Sequence, residues 1–337
     1  MILVGTKQHK RTEYMRQAAK QQGLPFSLLS YEHSYTELLE QLHHISGAVK
    51  IDPPSFHEDA LAPMKEQLER YQSFLNQLCS CHCQFLNHPS ALVTLLDKYQ
   101  CKEVLRQHGL FVTDCLTSHL QSMEELIALM EKRRVTSVFL KPIHYSGAAG
   151  VVALRRNLAT GEFIAITSSA VRQGQLYNTK HLYRMTKWEE IRELLDCLLP
   201  LGLMVERWVP KDTINGMSYD LRVVVQFGKV IHIVVRQSKG PITNLHLNNC
   251  AGTVEVLSLS RQQMEAIEEL CVKAVGLFDG LTYAGVDVLL NKKSKQPYII
   301  EMNGQGDLIY QDIFAKNRIY GEQAAYMKHL ELQMNER

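Results

Sequence analysis

Apolar positions fall into two alternating patterns along the first fifty residues. Residues 2–4, 26–29 and 47–51 are short apolar runs and read as strands; the last stops at Asp52-Pro53-Pro54. Residues 13–22 and 35–43 carry apolar positions at helical spacing. Strands alternating with helices predict a small parallel sheet with helices on its faces. No G-x-G-x-x-G follows the first strand, so a dinucleotide fingerprint is missing. Residues 62–77 and 90–108 read as helices, the second stopped by Gly109. Ser122 and Glu125 resemble a capping box for a helix over 123–133.

The remainder is richer in strands. Residues 138–141, 151–154, 164–166, 203–209, 219–226, 230–236, 284–290 and 298–303 read as strands. Residues 188–199, 262–278 and 321–334 read as helices. No internal repeat, low-complexity stretch or long linker interrupts them.

Composition narrows the class. The 337 residues allow about two domains, with three subdomains open. A 45% hydrophobic and 21% charged chain is neither disordered nor fibrous. With 37 basic and 35 acidic residues the net charge is +2, so nucleic acid is not implied as a partner. No apolar run reaches the ~20 residues of a membrane helix, so no membrane partner is expected. The apolar stretch at the N-terminus is too short for a signal peptide, and a cytoplasmic location is expected. Eight cysteines then read as mostly reduced thiols. Cys79-Ser80-Cys81-His82-Cys83 looks like a metal box, but it lacks a second ligand pair, and plain thiols are the better reading.

Three groups of residues bear on chemistry. Lys141 ends an apolar strand just before His144-Tyr145-Ser146-Gly147-Ala148-Ala149-Gly150. Small residues let backbone N–H groups approach phosphate, and a lysine adds a point charge. A plain hairpin turn explains Ser146 to Gly150 about as well, and Lys98, alone, reads as a solvated lysine. The second group is an acidic hairpin. Asp287 and Glu301 lie on apolar strands joined by a polar turn, and folding about Ser294 places them opposite each other. Facing carboxylates repel unless a cation lies between them. Asn303 shares the face of Glu301, and this oxygen set suits Mg²⁺, with Mn²⁺ also open. A protonated or lysine-paired carboxylate is the plainer alternative. The third group is a hairpin with Asp220 and Arg222 on one strand, a Phe227-Gly228 turn, and Arg236 on the other. A strict two-residue turn puts Arg222 and Arg236 on opposite faces, so both reach one site only through a bulge or a longer turn. Before it, Glu206-Arg207-Trp208-Val209 reads equally as a hinge strand or a core strand.

Taken in order, Lys98, Lys141, the small-residue loop, V-E-R-W-V, D-L-R, Arg236, G-V-D-V and I-I-E-M-N resemble the ATP-grasp superfamily over roughly residues 90–320. The D-L-R hairpin looks most like the ribosomal-protein glutamate ligases. The resemblance implies an α/β and α+β fold: an N-terminal α/β domain over 1–90, then ATP-grasp subdomains over 91–205 and 206–337. It implies ATP and Mg²⁺ as cofactors. Lys98 and Lys141 would contact phosphates under a loop containing Ser146, Gly147 and Gly150. Glu206 and the backbone from Arg207 to Val209 would face adenine. Asp287, Glu301 and Asn303 would hold the metal, and Arg222 and Arg236 would stabilise the transferring phosphate. The implied activity is an ATP-dependent ligase joining a carboxylate to an amine, a peptide acceptor or a thiol through an acyl-phosphate. A small-molecule kinase, with His144 or His246 as base, and a nucleotide-binding scaffold remain alternatives, and a homo-oligomer is left open. Two segments depart from the family pattern: Gly304-Gln305-Gly306-Asp307, and the stretch from Asn244 to Gly252. Both fall where the acceptor would lie.

Overall fold

The computed structural model describes residues 1–55, 60–305 and 317–335. Strands β1 (Ile2–Gly5), β2 (Ser27–Ser30), β3 (Ala48–Ile51) and β4 (Gln84–Phe85) form a parallel sheet in the order β2-β1-β3-β4. Its helices α1 (Lys10–Gln21), α2 (Tyr35–His43) and α3 (Leu61–Leu78) bury apolar stripes against it, including Met15, Leu38 and Leu75. The capping box of α2 is complete, with Ser34 and Glu37 bonding each other's backbone.

Residues 90–108 form two helices, not one. Helix α4 (Pro89–Leu96) ends where Asp97 turns extended, and Asp97 caps α5 (Lys98–Gln107) by accepting from the Gln100 N–H at 2.9 Å. This break sets Lys98 at the start of a helix.

A second sheet contains β5 (Cys115–Leu120), β6 (Ser137–Pro142), β7 (Val152–Arg156), β8 (Phe163–Arg172), β9 (Gln175–Met185) and β10 (Leu203–Arg207). Its order is β5-β10-β6-β7-β8-β9, antiparallel throughout. Helices α6 (Met123–Lys132) and α7 (Trp188–Leu198) cover one face and share its core. A third antiparallel sheet contains β12 (Met217–Gln226), β13 (Lys229–Ser238), β14 (Cys250–Gly252), β15 (Tyr283–Leu290) and β16 (Pro297–Asn303), with the short β11 (Thr213–Ile214) beside β12. Helix α8 (Arg261–Gly276) packs on it. Helix α9 (Arg318–Asn335) returns to the first sheet, where Tyr320 and Met327 share a core with Leu3, Met15 and Tyr283. The open faces of the second and third sheets meet across a cleft.

Candidate active site

A cleft runs between these sheets. Lys98, Lys141, Ser146, Glu206, Arg207, Val209, Arg236, Asp287 and Glu301 all line it. Gly147, Gly150, Arg222 and Asn303 are not among the residues lining it.

Lys141 rises from β6 beside Glu206 on β10; its Nζ lies 2.9 Å from Glu206 Oε2. Lys102 Nζ lies 2.5 Å from Oε1 of the same carboxylate, and Thr113 Oγ1 donates to Oε2 at 2.9 Å. Burial raises the Glu206 pKa, but Lys102 and Lys141 more than offset it and hold it down to about 2. Glu206 is thus occupied by cations on the cleft wall. Lys98 Nζ donates to the carbonyls of Pro142, Ile143 and Tyr145, so it fastens the start of the small-residue loop. It is half-buried at the cleft, and burial lowers its pKa.

The loop turns on positive φ at Gly147, Ala148 and Gly150. A Cβ at Gly150 would sit 2.5 Å from Pro142 Cγ, so glycine is required there for space as well as for conformation. The Gly150 N–H is taken by Ser169 Oγ at 3.2 Å. Ser146, Ala148 and Ala149 are the loop residues that face the cleft.

At the hinge, the Arg207 N–H goes to Asp114 O at 2.9 Å and the Trp208 N–H to Ser137 O at 3.2 Å. Of the hinge residues, Glu206, Arg207 and Val209 line the cleft.

Both hairpins carry a bulge. In β12–β13, Phe227 and Gly228 have the positive φ of a two-residue turn, and Gln226 pairs with Lys229. Ile231 is then the extra residue, and beyond it Asp220 faces Arg236. Arg222 and Arg236 thereby share a face, as a bulge requires. In β15–β16, Leu290 pairs with Pro297, Ile300 is the extra residue, and Asp287 faces Glu301.

The arginines close on the acids. Arg222 Nε lies 2.5 Å from Asp287 Oδ1, and Arg236 Nη2 lies 3.1 Å from Oδ2. Asp220 does not pair with Arg222; it takes Arg236 Nε at 2.7 Å and Lys211 Nζ at 2.8 Å. Burial pushes the Asp287 carboxyl up despite both arginines. Burial acts on Glu301 too, but Lys98 and Lys141 hold it below its usual value. Asn303 Nδ2 lies 3.5 Å from Glu301 Oε1. The oxygen donors are hard, face one another in register, and at Asp287 carry two guanidinium groups where a divalent cation would supply equal charge. They fit Mg²⁺ completed by phosphate oxygens.

Three participants escaped the sequence reading: Lys102, Lys211 and Thr113. Lys102 had a cue, since it falls four residues after Lys98 on one helix. Lys211 and Thr113 sit in connecting segments with no pattern. Elsewhere, Cys81 Sγ lies 3.7 Å from His43, and Cys83 Sγ donates to Leu42 O at 3.3 Å. Among the described residues no group of three or more His, Cys, Asp or Glu side chains could hold a metal ion. No helix among them is long and apolar enough to cross a membrane.

The three-sheet architecture and a cation-lined cleft define an ATP-grasp fold. Residues 85–330, well over half of the chain, match the YheC/D like ATP-grasp family, and the chain belongs to it. That branch differs from the ribosomal-protein glutamate ligases suggested by D-L-R. Here those residues join the charge network through Asp220–Arg236 and Arg222–Asp287, so they mark the cleft and not the branch. The macrocyclase MdnC bound with precursor peptide MdnA from Microcystis aeruginosa MRC is similar at TM-score 0.61 and 14% identity, over 98% of this chain and 99% of that one. The ATP-grasp ligase PsnB complexed with minimal precursor, Mg and ADP is similar at 0.58 and 15%, over 97% of each chain. D-Alanine–D-alanine ligase from Bacillus anthracis is similar at 0.60 and 11%, over 99% of this chain and 98% of that one. No curated protein matches the sequence.

Proposed function

We propose that the chain is an ATP-dependent ligase that joins a carboxylate to an amine, a peptide acceptor or, less often, a thiol. The observation that carries this is the composition of the cleft. Lys98, Lys141, Arg207, Lys211 and Arg236 line it with Glu206, Asp220, Asp287 and Glu301, while Lys102 and Arg222 pair with two of these carboxylates without lining it, an excess of positive charge suited to a polyphosphate. Among the described residues lining it there is no histidine or cysteine. His144, the candidate kinase base, bonds Gln72 at 3.0 Å and does not line the cleft; nor does His246. The site therefore offers charge and position without a protein nucleophile, and ATP itself activates the substrate.

In this reading the small-residue loop and Lys141 hold the phosphates, and Lys98 fixes the loop. A substrate carboxylate oxygen attacks the γ-phosphorus and ADP leaves. The amine then attacks the acyl carbon, phosphate leaves and the amine gives up a proton. Mg²⁺ held by Asp287, Glu301 and Asn303 would neutralise charge on the phosphates. Arg236, on the cleft lining, and Arg222, on the same sheet face, would turn from their aspartates to the transferring phosphate. MdnC and PsnB, whose solved structures hold precursor peptides, support a peptide as one substrate.

A screen of amino acids and peptides for Mg²⁺-dependent ADP release, with hydroxylamine as acceptor, tests the proposal. A hydroxamate should form in step with ADP. AMP with pyrophosphate, or ADP with a phosphorylated alcohol and no hydroxamate, would remove the ligase reading.

A further inference from the structure

Lys102 is buried at 2% exposure on α5, and it is not among the residues lining the cleft. Its Nζ bonds Glu206 Oε1 and Thr113 Oγ1, while Thr113 donates onward to Glu206 Oε2. Lys141 holds the same Oε2, and of the two lysines only Lys141 reaches the cleft. One carboxylate thus faces two ammonium groups. The triad carries a net positive charge, and Lys141 is its one cation on the cleft lining.

With Lys141 as its only cation, Glu206 would form a neutral buried pair. Removing Lys141 from that pair would leave a bare carboxylate in a low-dielectric wall, which is strongly unfavourable. We infer that Lys102 is a positioning residue: it balances Glu206, so that the charge of Lys141 is available to a phosphate oxygen. Thr113 fixes the arrangement by bridging lysine and carboxylate. This inference rests on the reading of the cleft as a nucleotide site.

The readout is the ratio of adenosine to ATP dissociation constants, measured calorimetrically, because it isolates what the phosphates contribute. Lys102→Met should weaken ATP by about ten- to a hundredfold, the span of one charge-assisted hydrogen bond, and leave adenosine within about twofold. Lys102→Arg should restore the ratio. In a Glu206→Gln background the ratio should not depend on Lys102, since no carboxylate then competes for Lys141. Lys102→Gln keeps a donor for Glu206 without the charge and gives the same readout if Lys102→Met does not fold. Parallel weakening of ATP and adenosine would show a packing role and overturn the inference, as would a ratio that still falls with Lys102→Met when residue 206 is Gln. A wild-type protein that binds ATP no better than adenosine would fail the nucleotide reading first, and this inference with it.

Discussion

Burial alone would push the Glu206 carboxyl up, yet Lys102 and Lys141 hold it down to about 2. A carboxyl lowered on folding stabilises the folded state above its unfolded pKa of about 4.3, and loses that contribution as pH falls through the folded value. The stability gap between wild type and Glu206→Gln should therefore be widest above about pH 5 and shrink towards pH 2, as urea unfolding across that range would show. Lys141 and Lys229 differ only by place. Lys141 ends a buried strand beside the loop, whereas Lys229 sits exposed after a hairpin turn. Calorimetry should find ATP weakened about ten- to a hundredfold by Lys141→Ala and hardly changed by Lys229→Ala. At this scale the sequence revealed residues with their own local pattern: Asp287, Glu301, Lys141. It concealed those whose role is made by a distant partner. Thr113 and Glu206 are 93 positions apart and meet only because β10 runs beside β5.

Elements show the same division. The glycine loop is legible because small residues cluster, and its Gly150 does different work from Gly23, which lies just past helix α1. Gly150 would meet Pro142 and holds φ of +71°, while Gly23, at +63°, has nothing within 4 Å of a Cβ. Gly150→Ala should cost about 2–4 kcal/mol, from left-handed backbone plus overpacking, and Gly23→Ala only about 1. Chemical denaturation of the two variants compares them directly. Strand β9 was not legible, because Lys180, His181 and Arg184 lie exposed along it and leave few apolar positions to mark the alternation. The split between α4 and α5 was signalled by Asp97, a good N-cap, but the apolar run before it masks the stop. The opposition of Asp287 and Glu301 follows from sequence symmetry about Ser294, although the hairpin itself turns half a residue earlier and the bulge at Ile300 restores the match.

At the scale of the molecule, the core of the first sheet includes Val224 and Tyr283 from the third and Tyr320 from α9, so these parts share one interior. The second sheet has a core of its own, joined by Leu61 and Leu68 of α3. The chain passes between the two bodies at neighbouring places. Residues 111–113 bond β16 just before β5 begins, and Lys211 bridges to Asn291 just after β10 ends. The crossings are tied by the Arg207 N–H on Asp114 O at 2.9 Å and by an Arg207–Asp114 ion pair at 3.3 Å. A paired crossing of this kind is a pivot, and the cleft is the space between two jaws. In the proposed reading a base beside Arg207 and Val209 would lodge at the fulcrum, where rotation displaces atoms least. The phosphates would then lie out along the arms, where small rotations become large displacements. Adenosine should therefore enter without changing the molecule's dimensions, and only the triphosphate should draw the jaws together. Small-angle scattering would register this as a smaller radius of gyration with a non-hydrolysable ATP analogue and none with adenosine. Affinity for the base and closure on the phosphates would then be separable quantities, set by different ends of the same lever.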